Sequence, residues 1–342
     1  MEKNNFRKFF EGKNILVTGG AGSIGSKIVE KLIKECNPNV VRVLDNNEAS
    51  LFRMIQRFGF REKMRAFIGD VRDKERLIKA MEGADIVFHA AALKHVFLSE
   101  YNPFDVVKTN VIGTQNVIQA AIYSGVEKVV NVSTDKAANP ANVMGATKLL
   151  TERLITSANE YYKGNKKTLL FSVRFGNVLN SNGSVIPIFK DQIKKGGPVT
   201  VTDKRMERFV MSIPKAINLV FKAVEKAEGG EVFILKMPMI KIYDLANTMI
   251  ELLAPKYGFK PDNIKIKIIG RKIGEKIKEE FITDSEIINS KEEEEMFVIY
   301  PNDFEKEIIR EENLNLEKTK ETKILSKEEI KKIISGIYKD EK

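Results

Sequence analysis

Asn14-Ile15-Leu16-Val17-Thr18-Gly19-Gly20-Ala21-Gly22-Ser23-Ile24-Gly25 decides the fold of this chain. A strand-like run, Asn14–Thr18, enters a glycine-rich turn, and a helical pattern over Ser23–Glu35 leaves it. Glycines at 19, 22 and 25 permit a tight turn and let the backbone approach a ligand closely. The start of the following helix offers backbone amides and the positive end of a dipole, which suit a pyrophosphate. In this context Gly19, Gly22, Ser23, Ile24 and Gly25 are expected to hold a dinucleotide.

Outward from the loop, apolar runs alternate with helical patterns. Strands are expected at Val40–Leu44, Arg65–Ile68, Asp85–Phe88, Lys128–Val132 and Leu169–Arg174, and helices over Asp105–Ser124 and Val143–Tyr162. Such alternation gives a parallel sheet covered on both faces, so the expected class is α/β, a Rossmann-like doubly wound sheet. Asp45 ends the second strand twenty residues after Gly25. A carboxylate there accepts hydrogen bonds from ribose hydroxyls and repels a 2′-phosphate, so NAD is expected over NADP. Asp70 and Val71 follow the third strand, where they can meet the adenine edge. Ala90, Ala91 and Ala92 follow the fourth, where small side chains let a cofactor pass close to the sheet.

After Asn177 the pattern changes. Asn180-Ser181-Asn182-Gly183-Ser184 is a turn-rich break. Glu231–Leu235 reads as a return to the sheet, and Ile264–Ile269 alternates as a half-buried strand. The expected division is a dinucleotide domain over 12–178, with a segment near 210–250 returning to it. A smaller lobe takes 179–209 and 251–300, and a charged extension takes 301–342. Ser326-x-x-Glu329 is a capping box that opens a last helix in that extension.

Composition narrows the function. One cysteine, Cys36, excludes an intrachain disulfide and a cysteine metal cluster, and two histidines leave no histidine-rich metal site, so no metal is expected. The formal charge of +10 is spread along helices and mixed with 47 acidic residues. Without a concentrated basic tract, no nucleic-acid partner is expected, and the balance suits an anionic small substrate. No run approaches the roughly 18–20 apolar residues of a membrane span. The first residues lack an apolar signal core, so the expectation is a cytoplasmic protein.

The second informative stretch is Ser133-Thr134-Asp135-Lys136, at the end of the fifth strand, with Met144 and Lys148 beyond it. Met144 and Lys148, at i and i+4, share one helix face. Lys148 is placed to hold a nicotinamide ribose and to lower nearby pKa values by its charge. Short-chain dehydrogenases normally have tyrosine where Met144 stands, and a thioether cannot ionise.

The block STDKAANPANVMGATK (133–148), with HAAALKHV (89–96), KTNVIGTQNV (108–117) and RFGNVLNSNGSVIP (174–187), resembles the nucleotide-sugar 4,6-dehydratases of polysaccharide biosynthesis. These are extended short-chain dehydrogenases that act chiefly on UDP-N-acetylglucosamine. The similarity runs from about Lys13 to Glu280. It implies bound NAD, oxidation at carbon 4, loss of water across carbons 5 and 6, and return of the hydride to carbon 6. Asp135 would be the acid at carbon 6, Lys136 the base at carbon 5, and Thr134 the partner of the 4-hydroxyl, relaying its proton to Lys148 or to water. Substrate contacts are implied for Lys94, Asn177, Ser184, Val185, Arg208 and Glu275. Arg208 would serve as a planar cation for a phosphate. Family members read Arg-Pro-Gly-Glu-Lys where this chain has Lys272-Ile273-Gly274-Glu275-Lys276, so the proline is lost. Larger members carry a membrane-bound N-terminal region, which this chain is expected to lack. The family tends to form dimers or larger rings, so a homo-oligomer is expected, with Phe6, Phe9 and Phe10 packing on a neighbour.

Two other readings share these residues. A nucleotide-sugar 4-epimerase uses the same loop and pocket, but it needs no acid and base at carbons 5 and 6 and normally keeps the tyrosine. A redox-silent nucleotide-binding protein would have kept the fold after losing that tyrosine. The intact Thr134-Asp135-Lys136 run and Lys148 argue against it.

Overall fold

The computed structural model describes residues 5–58, 63–161, 168–181, 183–301 and 322–338. The expected helix end at Tyr162, Asn182 of the turn, and 302–321 and 339–342 of the extension lie outside them.

Six strands follow the expected series: β1 (Asn14–Thr18), β2 (Val40–Asp45), β3 (Met64–Ile68), β4 (Ile86–His89), β5 (Lys128–Thr134) and β6 (Leu169–Phe175). Among the described residues eight more follow: β7 (Asn177–Val178), β8 (Val199–Val201), β9 (Glu207–Met211), β10 (Val232–Leu235), β11 (Met239–Lys241), β12 (Ile266–Ile268), β13 (Ser290–Glu292) and β14 (Met296–Ile299). The main sheet has nine strands in the order β13-β14-β10-β6-β5-β4-β1-β2-β3. From β10 to β3 the pairings are parallel, while β14 and β13 add antiparallel strands at one side. The fold is the Rossmann-type doubly wound α/β class. Strands β1 and β4 are almost wholly buried, as continuous apolar runs between two helical layers should be.

The strand order reverses between β1 and β4, so a crevice opens at their C-terminal ends. The glycine loop, Ala90–Ala92, the end of β5 and Gly176-Asn177 all emerge on that side.

Two cores support this edge, and a third, around Leu16, Val87 and Val129, packs the other face of the main sheet against helix Gly113–Ser124. The larger, around Phe88, Phe171 and Phe221, fills one face of the main sheet. The second joins helices Val185–Lys194, Ile242–Leu253 and Lys327–Ile337 through Ile186, Phe189, Leu245, Met249, Ile330 and Ile334. The last helix begins with the expected capping box, Ser326 and Glu329 each accepting a backbone amide of the other.

Several expectations need correction. Phe10 is wholly buried in its own chain, its ring 4.7 Å from Phe221, and Phe6 lies 5.7 Å from the same ring. Phe10 therefore packs within its own chain, and Phe6 lies partly buried against the same core. The helix expected over Asp105–Ser124 is three pieces: Pro103–Val106, a π-helical turn Val107–Ile112, and Gly113–Ser124. The helix expected over Ser23–Glu35 runs from Gly25 to Lys31 and ends in a second π turn through Cys36. Of the expected half-buried strand Ile264–Ile269, only Ile266–Ile268 pairs, with β8. Ile264 is buried, but Ile268 and Ile269 are exposed.

The packing also divides the chain differently from the sequence. Within 210–250, helix Ile213–Lys226 and β10 join the main body, but β11 and helix Ile242–Leu253 pack with the second core. Within 251–300, β13 and β14 return to the main sheet.

Candidate active site

The glycine loop is a surface that side chains would destroy. A Cβ at Gly19, where φ is +62°, would sit 2.6 Å from the Ala91 backbone. One at Gly25 would sit 2.3 Å from the Gly19 carbonyl oxygen. Loop and Ala90–Ala92 therefore touch backbone to backbone. Asp45 fastens the loop from the neighbouring strand: Oδ2 accepts from Ala21 N at 3.0 Å and Oδ1 from Asn47 N at 2.9 Å. Asp70 carries a fork of hydrogen bonds from Arg72 and one from Asn46. These hydrogen bonds, Arg72 first, hold its carboxyl at about 2. Val71 is buried against Gly113. The cradle, a carboxylate at the end of β2 and the Asp70-Val71 turn fit the adenosine and pyrophosphate of a dinucleotide.

Under the Ala90–Ala92 floor runs a buried polar chain that the sequence reading missed. His89 Nδ1 lies 2.8 Å from Thr18 Oγ1, and Nε2 lies 3.0 Å from Thr114 Oγ1. Thr114 donates its own proton to Asn110 O at 2.5 Å, so it must accept from His89, which fixes the proton on Nε2. The π turn places Asn110 to grip Leu93 N and O and to donate to Thr147 Oγ1 at 3.1 Å. Burial, and then the Lys148 charge, push the His89 pKa down to about 3. An unfolded histidine titrates near 6.5. The native state therefore holds this imidazole neutral, and stability present above pH 6.5 is lost as pH falls toward 3. The expected loss is about 2 kcal/mol by pH 5, read from urea unfolding midpoints, with a shallower slope for His89→Asn.

The chemistry sits at the end of β5. Thr134 Oγ1 donates to Asp135 Oδ1 at 2.9 Å, and Lys136 Nζ donates to the same oxygen at 2.9 Å. Lys136 Nζ also donates to Asn177 Oδ1 at 3.0 Å, which places Asn177 in the acid–base cluster. Asp135 is wholly buried, and among the described residues its Oδ2 has no partner; Ser133 Oγ and Ser184 Oγ are likewise buried and unsatisfied there. Orphaned polar atoms at Ser133 and Asp135, where β5 ends, mark a place that a polar ligand completes.

Helix Val143–Tyr161 closes on this turn. A Cβ at Gly145 would come within 2.4 Å of the Lys136 carbonyl oxygen, so glycine sets the approach. Met144 and Lys148 are both buried, and desolvation pushes the Lys148 amine down to about 8 against the pull of Glu152.

The remaining substrate candidates lie on other segments of the chain. Lys94 is exposed on the loop after β4. Its neighbour His95 packs on Gly183, whose Cβ would fall 2.8 Å from the ring. Ser184 and Val185 start the helix that follows. Arg208 is buried, donating from Nη1 to the carbonyls of Glu207 and Ile277. Glu275 accepts from Lys272 N at 2.9 Å and closes the turn that lacks the proline. Gly274 supplies the positive φ there, +79°.

Arg174 and Glu279 are among the buried charged residues that were not foreseen. Arg174, on β6, donates to both carboxyl oxygens of Glu152 and of Glu286 and to Phe281 O. Glu279 is 3% exposed, near Asp135 and Lys136. Among the described residues no group of acidic, histidine or cysteine side chains suits a metal, and no helix is long and apolar enough to cross a membrane.

Known proteins resemble the chain over most of its length. A protein of Methanocaldococcus jannaschii, "Uncharacterized membrane protein MJ1061", is 58% identical over 329 residues, 96% of this chain and 97% of its own length. The "UDP-N-acetylglucosamine 4,6-dehydratase (inverting)" of Campylobacter jejuni is 44% identical over 294 residues, 86% of this chain and 84% of its own. A "UDP-glucose 4-epimerase" of Rickettsia canadensis is 37% identical over 286 residues, covering 83% and 81%. The X-ray structure of Pen from Bacillus thuringiensis superposes with a TM-score of 0.86 at 44% identity, over 96% of this chain and 98% of that one. Residues 15–301 match the sequence model of the family described as "Polysaccharide biosynthesis protein", and the chain belongs to that family.

Proposed function

We propose that this protein is an NAD-dependent 4,6-dehydratase of a UDP-N-acetylhexosamine, with UDP-N-acetylglucosamine as the first candidate, serving surface polysaccharide or glycan synthesis. One observation carries the reading: a hydroxyl, an acid and an amine, Thr134, Asp135 and Lys136, joined through one carboxylate oxygen in a buried turn. The name of the Campylobacter jejuni relative supports the same reaction and substrate.

Bound NAD would supply the hydride acceptor for carbon 4 and the hydride donor for carbon 6. The glycine loop and Asp45 hold its adenosine half, and Lys148 its nicotinamide ribose. Thr134 receives the 4-hydroxyl. Its own proton points to Asp135 Oδ1, which favours passing the released proton to Asp135 over a relay to Lys148 or to water. Asp135 is then the acid for the departing 6-hydroxyl, and Lys136 the base for carbon 5. Arg208 and the Gly183–Pro187 turn take the diphosphate.

Incubation with UDP-N-acetylglucosamine and mass spectrometry tests this. Loss of one water is expected. An unchanged mass with a new epimer would favour the epimerase, and no conversion the silent binder. Met144 opposes the epimerase, because a thioether can take no proton.

Cofactor choice is tested separately. Asp45 is pinned at the loop by two backbone amides, so a 2′-phosphate would meet a fixed negative charge. Calorimetry should give NAD binding tighter than NADP by about tenfold or more, with the ratio narrowed in Asp45→Asn. Equal or tighter NADP binding by the wild type would remove this role.

The proton path is also open to test. Met144→Leu, similar in volume and equally unable to ionise, should keep most activity. Thr134→Val should slow the first oxidation by about 10²-fold or more. Single-turnover cofactor reduction with substrate deuterated at carbon 4 reads this step directly.

A further inference from the structure

The reaction proposed above, on which this inference rests, leaves one proton without a place. Asp135 and Lys136 stand as a buried ion pair. When the carboxylate takes the 4-hydroxyl proton, an acid is ready but the amine beside it is still an ammonium. An ammonium cannot deprotonate carbon 5. Its proton must move to a third group first.

We propose that Glu279 is that group, accepting a proton from Lys136 during turnover and returning it when the cycle closes. Glu279 lies on a segment clamped across the catalytic turn. Gly274 O accepts from Asn142 Nδ2 at 2.9 Å, and Asn139 O accepts from the Lys276 ammonium. Ile277 O accepts from Glu207 N at 2.9 Å and from Arg208 at 3.1 Å, and Phe281 O from Arg174 at 2.9 Å. The Glu279 side chain is 3% exposed, yet no hydrogen bond to its carboxyl is found among the described residues. The charges that face it are Asp135 and Lys136 from the turn, Arg208 from β9 and Lys276 from its own segment. Lys136 gives one N–H to Asp135 and one to Asn177, which leaves a third for another acceptor. Burial raises the Glu279 carboxyl above the ordinary range, although Lys136 pulls it back; Asp135 adds to the rise, and Arg208 and Lys276 oppose it. A raised proton affinity makes this carboxylate a better proton acceptor than an ordinary one.

The bonds balance. The 4-hydroxyl proton goes through Thr134 to Asp135. A Lys136 N–H bond breaks as a Glu279 O–H bond forms. Neutral Lys136 takes the carbon 5 proton while Asp135 protonates the 6-oxygen, and the C–O bond breaks to release water. Once the hydride has reached carbon 6, Lys136 returns its proton to carbon 5 and Glu279 returns its own to Lys136. Water leaves with the 4-hydroxyl proton, and all three side chains end as they began.

The test is Glu279→Gln, which keeps the shape, beside Glu279→Asp, which keeps the acid. With UDP-N-acetylglucosamine, kcat of Glu279→Gln should fall about 10²-fold at nearly unchanged KM. Reduced cofactor should accumulate in its near-ultraviolet absorbance, because oxidation at carbon 4 continues while elimination stalls. Its rate should climb with pH as hydroxide strips Lys136, and Glu279→Asp should be the faster of the two variants. UDP affinity by calorimetry should stay at the wild-type level in both. A packing role predicts the reverse order, Gln above Asp, and that order would overturn the proposal, as would wild-type kcat in Glu279→Gln. If the wild-type enzyme releases no water, the dehydratase reading fails and this role with it. If the wild type is active and Glu279→Gln equals it, only this role fails.

Discussion

Asp135→Asn and Lys136→Met are each expected to stop water loss from the substrate, lowering turnover by about 10²–10⁴-fold. The asparagine keeps the size of the buried side chain but cannot deliver a proton to the 6-oxygen. It also leaves the Lys136 ammonium with a neutral partner where the structure has a carboxylate oxygen at 2.9 Å. Methionine at 136 fills the space of the lysine stem with no base at its end. Both variants should still bind substrate, so reduced cofactor should build up on the enzyme while mass spectrometry finds no product lighter by one water. Wild-type turnover by both variants would refute the assigned roles.

Arg174→Met should be the most destabilising single change in the body of the protein, at about 3–5 kcal/mol in urea or guanidinium unfolding. The guanidinium is completely buried and neutralises Glu152 from the catalytic helix and Glu286 from the segment after Glu279. Removing it strands two buried carboxylates. Glu152→Gln and Glu286→Gln added to Arg174→Met should restore much of the loss, because the cost lies in uncompensated charge more than in lost attraction. Failure of the triple variant to recover stability would place that cost in packing instead.

What could be read from the sequence was local. The glycine loop, the strand ends and the capping box of the last helix declare themselves within a few residues through period and turn chemistry. The π turn at Asn110 does not, because the apolar pattern runs across it while the extra residue per turn answers partners at Leu93 and Thr147. Arg174 reads as a charge in an otherwise apolar strand. Its burial depends on Glu286, 112 residues away. Glu279 lies in Lys276-Ile277-Lys278-Glu279-Glu280, which looks like any solvated charge run. Only the crossing of that segment over the catalytic turn gives it another meaning. Asn177 was placed on the nucleotide by resemblance, whereas the structure sets its side-chain oxygen on the Lys136 ammonium.

The two rims of the main sheet bear on how copies of the chain meet. At one rim β3 presents exposed Arg65, and at the other β13 presents exposed Lys291 and Glu292. Charged side chains on outermost strands penalise the edge-to-edge pairing that would otherwise let two sheets fuse or seed aggregation. Association between protomers is therefore expected to use helical surfaces, leaving each nine-stranded sheet a closed unit.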